Sequence, residues 1–310
     1  MAQLKIHSVN ISEKKGTVKC SVPSINLTFN GVEKDAHSGK WHRQVSLLGI
    51  ESFQKFEVMA GRKLAFGEFA ENITTEGVTL YHTKPFDIFR NNDIELEVTQ
   101  IGKKCHGDRC AIYQEVGNCV MPKEGIFARV KVPGILKPGD VLEYIPKVFK
   151  VQIITLSDRA SAGEYEDRSG QQIVERVENY FRELDRQFIV RKSVIPDDAE
   201  ILRFQLEQAQ NENIDILITT GGTGIGPRDI TPDIVKTYLD KEIPGIMEMV
   251  RHKYGQEKPM AYISRSIAGV IKNTFVYTLP GSLKAVDEYL NEILPLQEHL
   301  FFMLYGIDNH

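Results

Sequence analysis

The chain has 310 residues, of which 42% are hydrophobic, with a formal net charge of −4 and four cysteines. That length provides material for two ordinary domains with hydrophobic cores, and so few cysteines do not form a disulfide framework. No apolar run is long enough to span a bilayer and no basic run has interleaved aromatic residues, so we expect a cytoplasmic protein that binds neither membrane nor nucleic acid.

The first half of the chain is predicted to be rich in short β-strands. Its apolar runs are separated by turn residues and span 4–9, 16–22, 44–48, 64–66, 93–101, 128–132 and 141–145. One helical pattern covers 50–60. Many short strands with one helix are typical of a barrel, so the sequence predicts a β-rich, barrel-like domain over residues 1–147.

The segment at 35–48 combines aromatic, histidine and arginine side chains. Arg43 is suited to bidentate contacts with an oxyanion. The neighbouring residues that can line the same pocket are His37, Trp41 and His42. A buried, structurally bonded histidine fits His42 equally well, and Asn72 and Thr74 fit either a polar binding edge or a turn.

Three cysteines lie close together in the segment at 102–130: Cys105, Cys110 and Cys119. A thiolate is a soft ligand for a transition metal or a carrier of sulfur, and the nearby Lys103 and Arg109 would lower a thiol pKa. The alternatives are a small buried hydrophobic side chain and a zinc site, although the spacing supplies no C-x₂-C pair.

The boundary between the two halves is predicted near residue 147, where Pro146 stiffens a short linker. Residues 1–147 carry 20 Lys and Arg against 17 Asp and Glu, whereas residues 148–310 carry 18 against 25. An acidic second half needs a cation or local arginines to bind an anion. The candidates are Arg159, Arg228 and Arg265.

The second half alternates strand-like and helix-like segments. Apolar runs of strand length lie at 148–156, 188–195, 214–220 and 275–279. Helical spacing covers 170–184, 201–209 and 286–305, and another helix begins near 230. This order predicts an α/β domain over residues 148–310, with a mostly parallel sheet covered by helices on both faces.

The segment TTGGTGIGPRDITPD at 219–233 forms a strand-to-helix turn. Its glycines are Gly221, Gly222, Gly224 and Gly226. Glycines lack the Cβ atoms that would keep a phosphate from the main chain, and the following helix offers unpaired N–H groups. The segment is not a P-loop, because Pro227 and Arg228 follow the last glycine, and its glycine spacing is not that of a dinucleotide fingerprint.

Two carboxylates, Asp229 and Asp233, follow these glycines. A carboxylate beside a phosphate-binding turn is expected mainly where Mg²⁺ lies between it and the phosphates. For Asp233, an ordinary stabilising charge near a helix N-terminus is an equally good interpretation. The turn therefore indicates nucleotide chemistry.

Four ordered segments resemble the molybdopterin-adenylyltransferase family, whose fold is shared with the gephyrin G domain. They lie at 154–170, 195–198, 219–233 and 279–282. The resemblance implies a molybdopterin-binding fold and transfer of AMP from Mg-ATP to the terminal phosphate of the dithiolene pterin, with release of pyrophosphate. It also implies a homo-oligomer, commonly a trimer.

By position, Asp197 and Asp229 resemble the family's catalytic, Mg-associated aspartates. The other positions that the resemblance implies in nucleotide or pterin binding are Ser157, Asp158, Gly221, Gly222, Thr223, Gly224, Arg228, Asp233, Pro280, Gly281 and Ser282. One departure is Leu283, where the family often has proline in the pterin-side loop.

The polar segments of the first half resemble the MOSC domain, a β-barrel module of molybdenum cofactor sulfurases and amidoxime-reducing enzymes. One cysteine of that family is proposed to carry sulfur or to bind the metal of the cofactor. Cys110, which follows Arg109, matches the family's Arg-Cys pair best, and Cys105 is the second candidate. The domain is thus expected to bind pterin or finished molybdenum cofactor, with Arg43 among its contacts.

The two resemblances together predict a fused enzyme of molybdenum cofactor biosynthesis. The C-terminal domain would adenylylate molybdopterin with Mg²⁺ and ATP, and other molybdenum cofactor enzymes are possible recipients of the product. A second hypothesis is a carrier or storage protein that binds the pterin without turnover. A third is a reductase activity of the first domain, which would need a bound molybdenum centre.

Overall fold

The computed structural model describes residues 2–15, 17–103 and 120–307. The chain divides into two units, Met1–Lys147 together with the segment from Gly306, and Val148–Tyr305. Within the described ranges no helix combines the length and apolarity needed to cross a bilayer.

The first unit is built around a closed β-barrel. Its strands are β1 (Gln3–Ile11), β2 (Cys20–Val22), β3 (Ile25–Thr28), β4 (Gly31–Val32), β5 (Val45–Gly49), β6 (Ile73–Glu76), β7 (Ile88–Arg90), β8 (Glu95–Ile101), β9 (Ile126–Val132), β10 (Gly134–Leu136) and β11 (Val141–Ile145). Seven strands form a ring in the order β11-β7-β8-β9-β5-β6-β1, which closes because β1 also pairs with β11. This confirms the predicted barrel.

A helix, α1 (Ile50–Ala60), packs outside the main barrel core with its own cluster of aromatic side chains. The predicted strand at 64–66 is wrong, because side chains rather than another strand bind its main chain. The N–H of Leu64 donates to Glu57 at 2.9 Å, and that of Ala65 donates to Glu68 at 3.0 Å. Leu64 therefore packs against the α1 cluster as part of a loop.

The second unit contains one six-stranded sheet. Its strands are β12 (Val148–Leu156), β13 (Gln187–Ile195), β14 (Ile216–Thr220), β15 (Lys241–Glu242), β16 (Ala268–Ile271) and β17 (Thr274–Leu279). They lie in the order β13-β12-β14-β17-β16-β15. Strands β13, β12, β14 and β17 are mutually parallel, whereas β16 pairs antiparallel with both β17 and β15. The sheet is therefore mostly parallel, as predicted.

Helices cover both faces of this sheet. They are α2 (Asp158–Ser161), α3 (Arg168–Glu183), α4 (Ala199–Asn211), α5 (Thr231–Tyr238), α6 (Pro244–Gly255) and α7 (Leu283–Leu304). Phe149 of β12 contacts Phe181 of α3 and Phe301 of α7, whereas Ile154 shares a core with Leu206 of α4. Because alternate side chains of a strand point to opposite faces, β12 supplies both cores.

Candidate functional site

The glycine turn follows strand β14, at the carboxyl edge of the parallel sheet. Gly221 and Gly222 have φ angles of 101° and 62°, in the left-handed region that favours glycine. A Cβ atom on Gly221 would lie 2.3 Å from the carbonyl oxygen of Leu156, at the end of β12. Glycine therefore lets the turn pass close to the neighbouring strand, which brings the ends of both strands together.

Two aspartates from adjacent strands are held together at the same edge. The main-chain N–H of Asp158 donates to Oδ2 of Asp197 at 3.2 Å, and that of Asp197 donates to Oδ1 of Asp158 at 3.0 Å. Asp158 follows β12 and Asp197 follows β13, which pair in parallel. The other oxygen of Asp158 forms an ion pair with Arg228 of the glycine turn.

Asp229 lies against the same turn. Its Oδ2 accepts a hydrogen bond from the N–H of Gly226 at 2.7 Å, and a Cβ atom on Gly224 would lie only 2.7 Å from that oxygen. Oδ1 of Asp197 is close to Gly222, where a Cβ atom would be 3.7 Å away. The two carboxylates predicted to be catalytic thus approach glycines that are two positions apart.

The electrostatics of this edge favour a cation. Burial raises the pKa of Asp197, and the negative charges of Asp158 and Asp229 act in the same direction. The hydrogen bond from the Asp158 main chain and the positive charge of Arg228 oppose the increase. Several carboxylates beside one guanidinium leave an excess of negative charge that a metal ion would neutralise.

The available donors fit Mg²⁺. This ion is usually held by one or two carboxylates, with substrate phosphates and waters completing its shell. In the described part of the chain, Oδ1 of Asp197 and Oδ1 of Asp229 accept no hydrogen bond. The described residues contain no group of three or more His, Cys, Asp or Glu that could hold a metal alone. An ion held by this pair would keep coordination positions for waters or for oxygens of a ligand.

Arg265 fixes the shape of the glycine turn. Its Nε donates to the carbonyl oxygen of Gly224 at 2.7 Å, and its Nη2 donates to the carbonyl oxygen of Asp229. Its Nη1 donates to both carboxylate oxygens of Asp233 at 2.8 Å. Asp233, predicted at the binding site, therefore contacts the turn through Arg265, and this pairing was not foreseen from the sequence.

A turn with the sequence LPGS at 279–282, called here the LPGS turn, lies beside the glycine turn at 219–233. The Thr220 hydroxyl donates to the carbonyl oxygen of Pro280 at 2.9 Å, and a Cβ atom on Gly281 would lie 3.5 Å from Cα of Gly221. Ser282 caps helix α7, because its Oγ accepts a hydrogen bond from the third N–H of that helix. The predicted positions Pro280, Gly281 and Ser282 thus adjoin the candidate site.

Ser157 lies in the loop that follows strand β12 and caps the short helix α2. Its Oγ also lies 2.8 Å from the hydroxyl of Tyr165, whose ring contacts the guanidinium of Arg159 at 5.2 Å. The loop therefore presents a hydroxyl and a cation beside the Asp158 position.

A cleft of about 330 Å³ is lined by residues of both turns. Thr223 and Gly224 come from the glycine turn, and Pro280 and Ser282 come from the LPGS turn. The apolar and aromatic part of the lining includes Met260, Ile263 and Tyr289, and the cationic part is Lys258 and Lys284. A mostly apolar cleft with a few polar groups is typical of a small-molecule site.

In the first unit, Arg43 is held by aromatic contacts. Its guanidinium carbon lies 4.7 Å from the ring centroid of Trp41 and 5.9 Å from that of Phe127. The buried Nε of Arg43 has no hydrogen-bond partner among the described residues. Because an unpaired buried donor is costly, this nitrogen is suited to an anionic ligand. The main-chain N–H of His37, which was predicted to line the same pocket, donates to the carboxylate of Asp35.

The candidate cysteines Cys105 and Cys110, like Cys119, lie outside the described residues. Cys20, on strand β2, is free and exposed. The role of Cys110 in handling sulfur or metal therefore stays a prediction.

A buried ionic cluster beside the barrel strands was not predicted from the sequence. Lys19 and Asp35 form an ion pair in which each side chain is only 1% exposed. Glu71 is fully buried, accepts hydrogen bonds from Gly67 and Thr74, and has no described partner for Oε2. Burial raises the pKa of Glu71 to about 7.

Glu71→Gln is expected to remove a pH-dependent loss of stability in the first unit. Because the folded-state pKa lies above the ordinary 4.5, unfolding releases a proton between these values, and stability falls as pH rises from 4.5 to about 7. The variant should be more stable than wild type by about 3 kcal/mol at pH 8 and similar near pH 4.5. Urea unfolding followed by Trp41 fluorescence measures both values, and parallel pH profiles would contradict the assignment.

Each of the two units matches a known protein family. A family described as "Probable molybdopterin binding domain" matches residues 152–299, and the MOSC domain family matches residues 34–143. Gephyrin from Dictyostelium discoideum is 35% identical over 154 residues, which are 48% of this chain and 21% of gephyrin.

Two further relatives match the same half of the chain. A molybdenum cofactor biosynthesis bifunctional protein from Synechococcus elongatus is 33% identical over 51% of this chain and 48% of its own length. Molybdopterin adenylyltransferase from Pyrococcus furiosus is 37% identical over 48% of this chain and 86% of its own length. The chain thus spans from a fifth to most of the length of these relatives.

Both family resemblances noted in the sequence are confirmed by these matches. The chain belongs to the molybdopterin adenylyltransferase family through its C-terminal half, and its N-terminal half is a MOSC domain.

Proposed function

We propose that the C-terminal domain transfers AMP from ATP to the terminal phosphate of molybdopterin and releases pyrophosphate. The observation that carries this proposal is the convergence of Asp197 and Asp229 on one glycine turn. Each of the two side chains has one carboxylate oxygen, Oδ1, that accepts no hydrogen bond from the described residues. Adenylyltransferases among the relatives support the same assignment.

In this reaction, an oxygen of the pterin phosphate attacks the α-phosphorus of ATP, and the bond to the bridging oxygen of the pyrophosphate breaks. Asp197 and Asp229 would hold Mg²⁺, which when bound neutralises charge on the triphosphate. The glycine turn would bring main-chain N–H groups to the phosphates, and Arg265 would keep the turn in place. Catalysis rests mainly on placement and charge neutralisation.

We propose that the MOSC domain binds the pterin of the precursor or finished cofactor, with Arg43 contacting an anionic group. The unpartnered Nε of Arg43 supports this role. Handling of sulfur or metal would fall to Cys110, with Cys105 as the second candidate. Fusion of the two domains would keep an oxygen-sensitive intermediate close to the enzyme that uses it next.

The test is an assay of AMP transfer with α-labelled ATP, Mg²⁺ and molybdopterin under anaerobic conditions. We expect one pyrophosphate released for each labelled pterin formed, and no product when EDTA removes the metal. Stoichiometric pterin binding without any turnover would instead favour a carrier or storage protein.

A further inference from the structure

The cleft beside the glycine turn contains an unusual pair of lysines. Lys258 and Lys284 both line it, and they are close enough for the charge of one to act on the other. The ammonium group of Lys258 lowers the pKa of Lys284, as expected for adjacent like charges. Such a pair is unfavourable by itself, so its position in a cleft points to an anionic ligand.

Among the described residues that line the cleft, Lys258 and Lys284 supply two positive charges and Glu288 supplies one negative charge. Glu288, also part of the lining, forms an ion pair with Lys258. Lys284 has no ion pair of its own within the described chain. Glu257, which does not line the cleft, also acts on both lysines, so the lining keeps a small positive excess in a domain with 18 basic against 25 acidic residues.

Other features of the same wall suit an oxyanion. Helix α7 begins at Leu283, and the start of a 22-residue helix carries partial positive charge. Lys284 is in the first turn of that helix, and Ser264, whose Oγ accepts a hydrogen bond from the Tyr289 hydroxyl, also lines the cleft. Ammonium groups beside a helix start are typical of a phosphate subsite.

The reaction needs such a subsite on the acceptor side. Two anions, the pterin phosphate and the ATP triphosphate, must approach within bonding distance, so both need neutralisation. Arg228 is paired with Asp158, and Arg265 with Asp233 and the turn. Among the described residues that line the cleft, the lysine pair supplies the cations.

We infer that Lys258 and Lys284 form the subsite for the phosphomonoester of the acceptor, placing it beside Thr223 and Gly224 of the glycine turn. This inference rests on the proposed function and extends it, because it assigns the acceptor phosphate to named side chains. The apolar lining at Met260 and Ile263 is then left for the less polar part of the same substrate.

The test compares Lys258→Gln and Lys284→Gln with Lys236→Gln, a matched change at an exposed lysine that pairs with Glu242 outside the cleft. Each lysine variant is expected to raise KM for molybdopterin at least about tenfold, with KM for ATP within about twofold of wild type. Lys236→Gln should leave both constants unchanged. The assignment would be overturned if KM for molybdopterin were the same in all variants, or if only KM for ATP increased.

A second measurement separates this inference from the proposed activity. Binding of inorganic phosphate is measured by calorimetry on the full chain with saturating Mg-ATP. The lysine variants should bind phosphate at least about tenfold more weakly than Lys236→Gln. If wild type transfers no AMP, the proposed function fails; if phosphate affinity is the same in all proteins, the subsite fails, whatever the activity.

Discussion

Asp229→Asn and Asp197→Asn are each expected to lower kcat/KM for AMP transfer at least about a thousandfold. Asparagine keeps a carbonyl oxygen that can accept the hydrogen bond now donated by Gly226 or by Asp158, so the loops should retain their shape. What it removes is the negative charge that would hold Mg²⁺. Steady-state kinetics over a range of Mg²⁺ concentrations measures the loss.

Asp198→Asn is the matched control, because Asp198 is the adjacent carboxylate but has an ordinary structural role. Its Oδ1 accepts hydrogen bonds from Glu200 at 2.9 Å and Ile201 at 3.0 Å, which cap helix α4. Asparagine is an equally good cap, so this variant should retain nearly full activity. Turnover within about fivefold of wild type in both Asp197→Asn and Asp229→Asn would refute the mechanism.

The sequence was sufficient for the four parallel strands of the second unit because their signals are local, whereas β15, β16 and helix α6 were not predicted. The apolar segment at 214–220 is typical of a buried parallel strand, and the glycines after it can only serve as a turn. The pairing of Asp197 with Asp229 came from the family resemblance and not from the strand pattern. The structure confirms the mostly parallel sheet, whose carboxyl edge carries both residues.

What the sequence could not supply were pairings between residues far apart in the chain. Nothing near Asp233 indicates that Arg265, 32 positions later, occupies both its carboxylate oxygens. The apolar segment at 64–66 resembles a strand, yet carboxylates of Glu57 and Glu68 bind its main chain. Such outcomes depend on tertiary contacts that compete with local propensity.

The same limit explains why the buried cluster of the barrel escaped prediction. Lysines and carboxylates are ordinarily exposed, so Lys19 and Asp35 have no sequence signal that marks them as interior residues. The structure nevertheless buries both, so each depends on the other to compensate its charge.

Lys19→Met is expected to destabilise the first unit by about 3–5 kcal/mol, because it leaves the Asp35 carboxylate buried without its cation. Although burial opposes ionisation, hydrogen bonds from His37 and Lys19 hold the pKa of Asp35 well below its usual range, so the residue stays charged in the fold. Urea unfolding followed by fluorescence isolates this unit, since Trp41 is the single tryptophan of the chain.

Lys63→Met provides the control, because Lys63 forms an ion pair with Glu57 while its side chain is 93% exposed. Loss of that exposed pair should change stability by less than about 1 kcal/mol. The double variant Lys19→Met/Asp35→Asn should recover part of the loss, because it removes the uncompensated charge that makes the single change costly. If Lys19→Met and Lys63→Met unfold at the same urea concentration, the buried pair does not stabilise the barrel. If the free energy of unfolding falls from wild type to the double variant and further to Lys19→Met, the destabilisation comes from the unpaired Asp35 carboxylate.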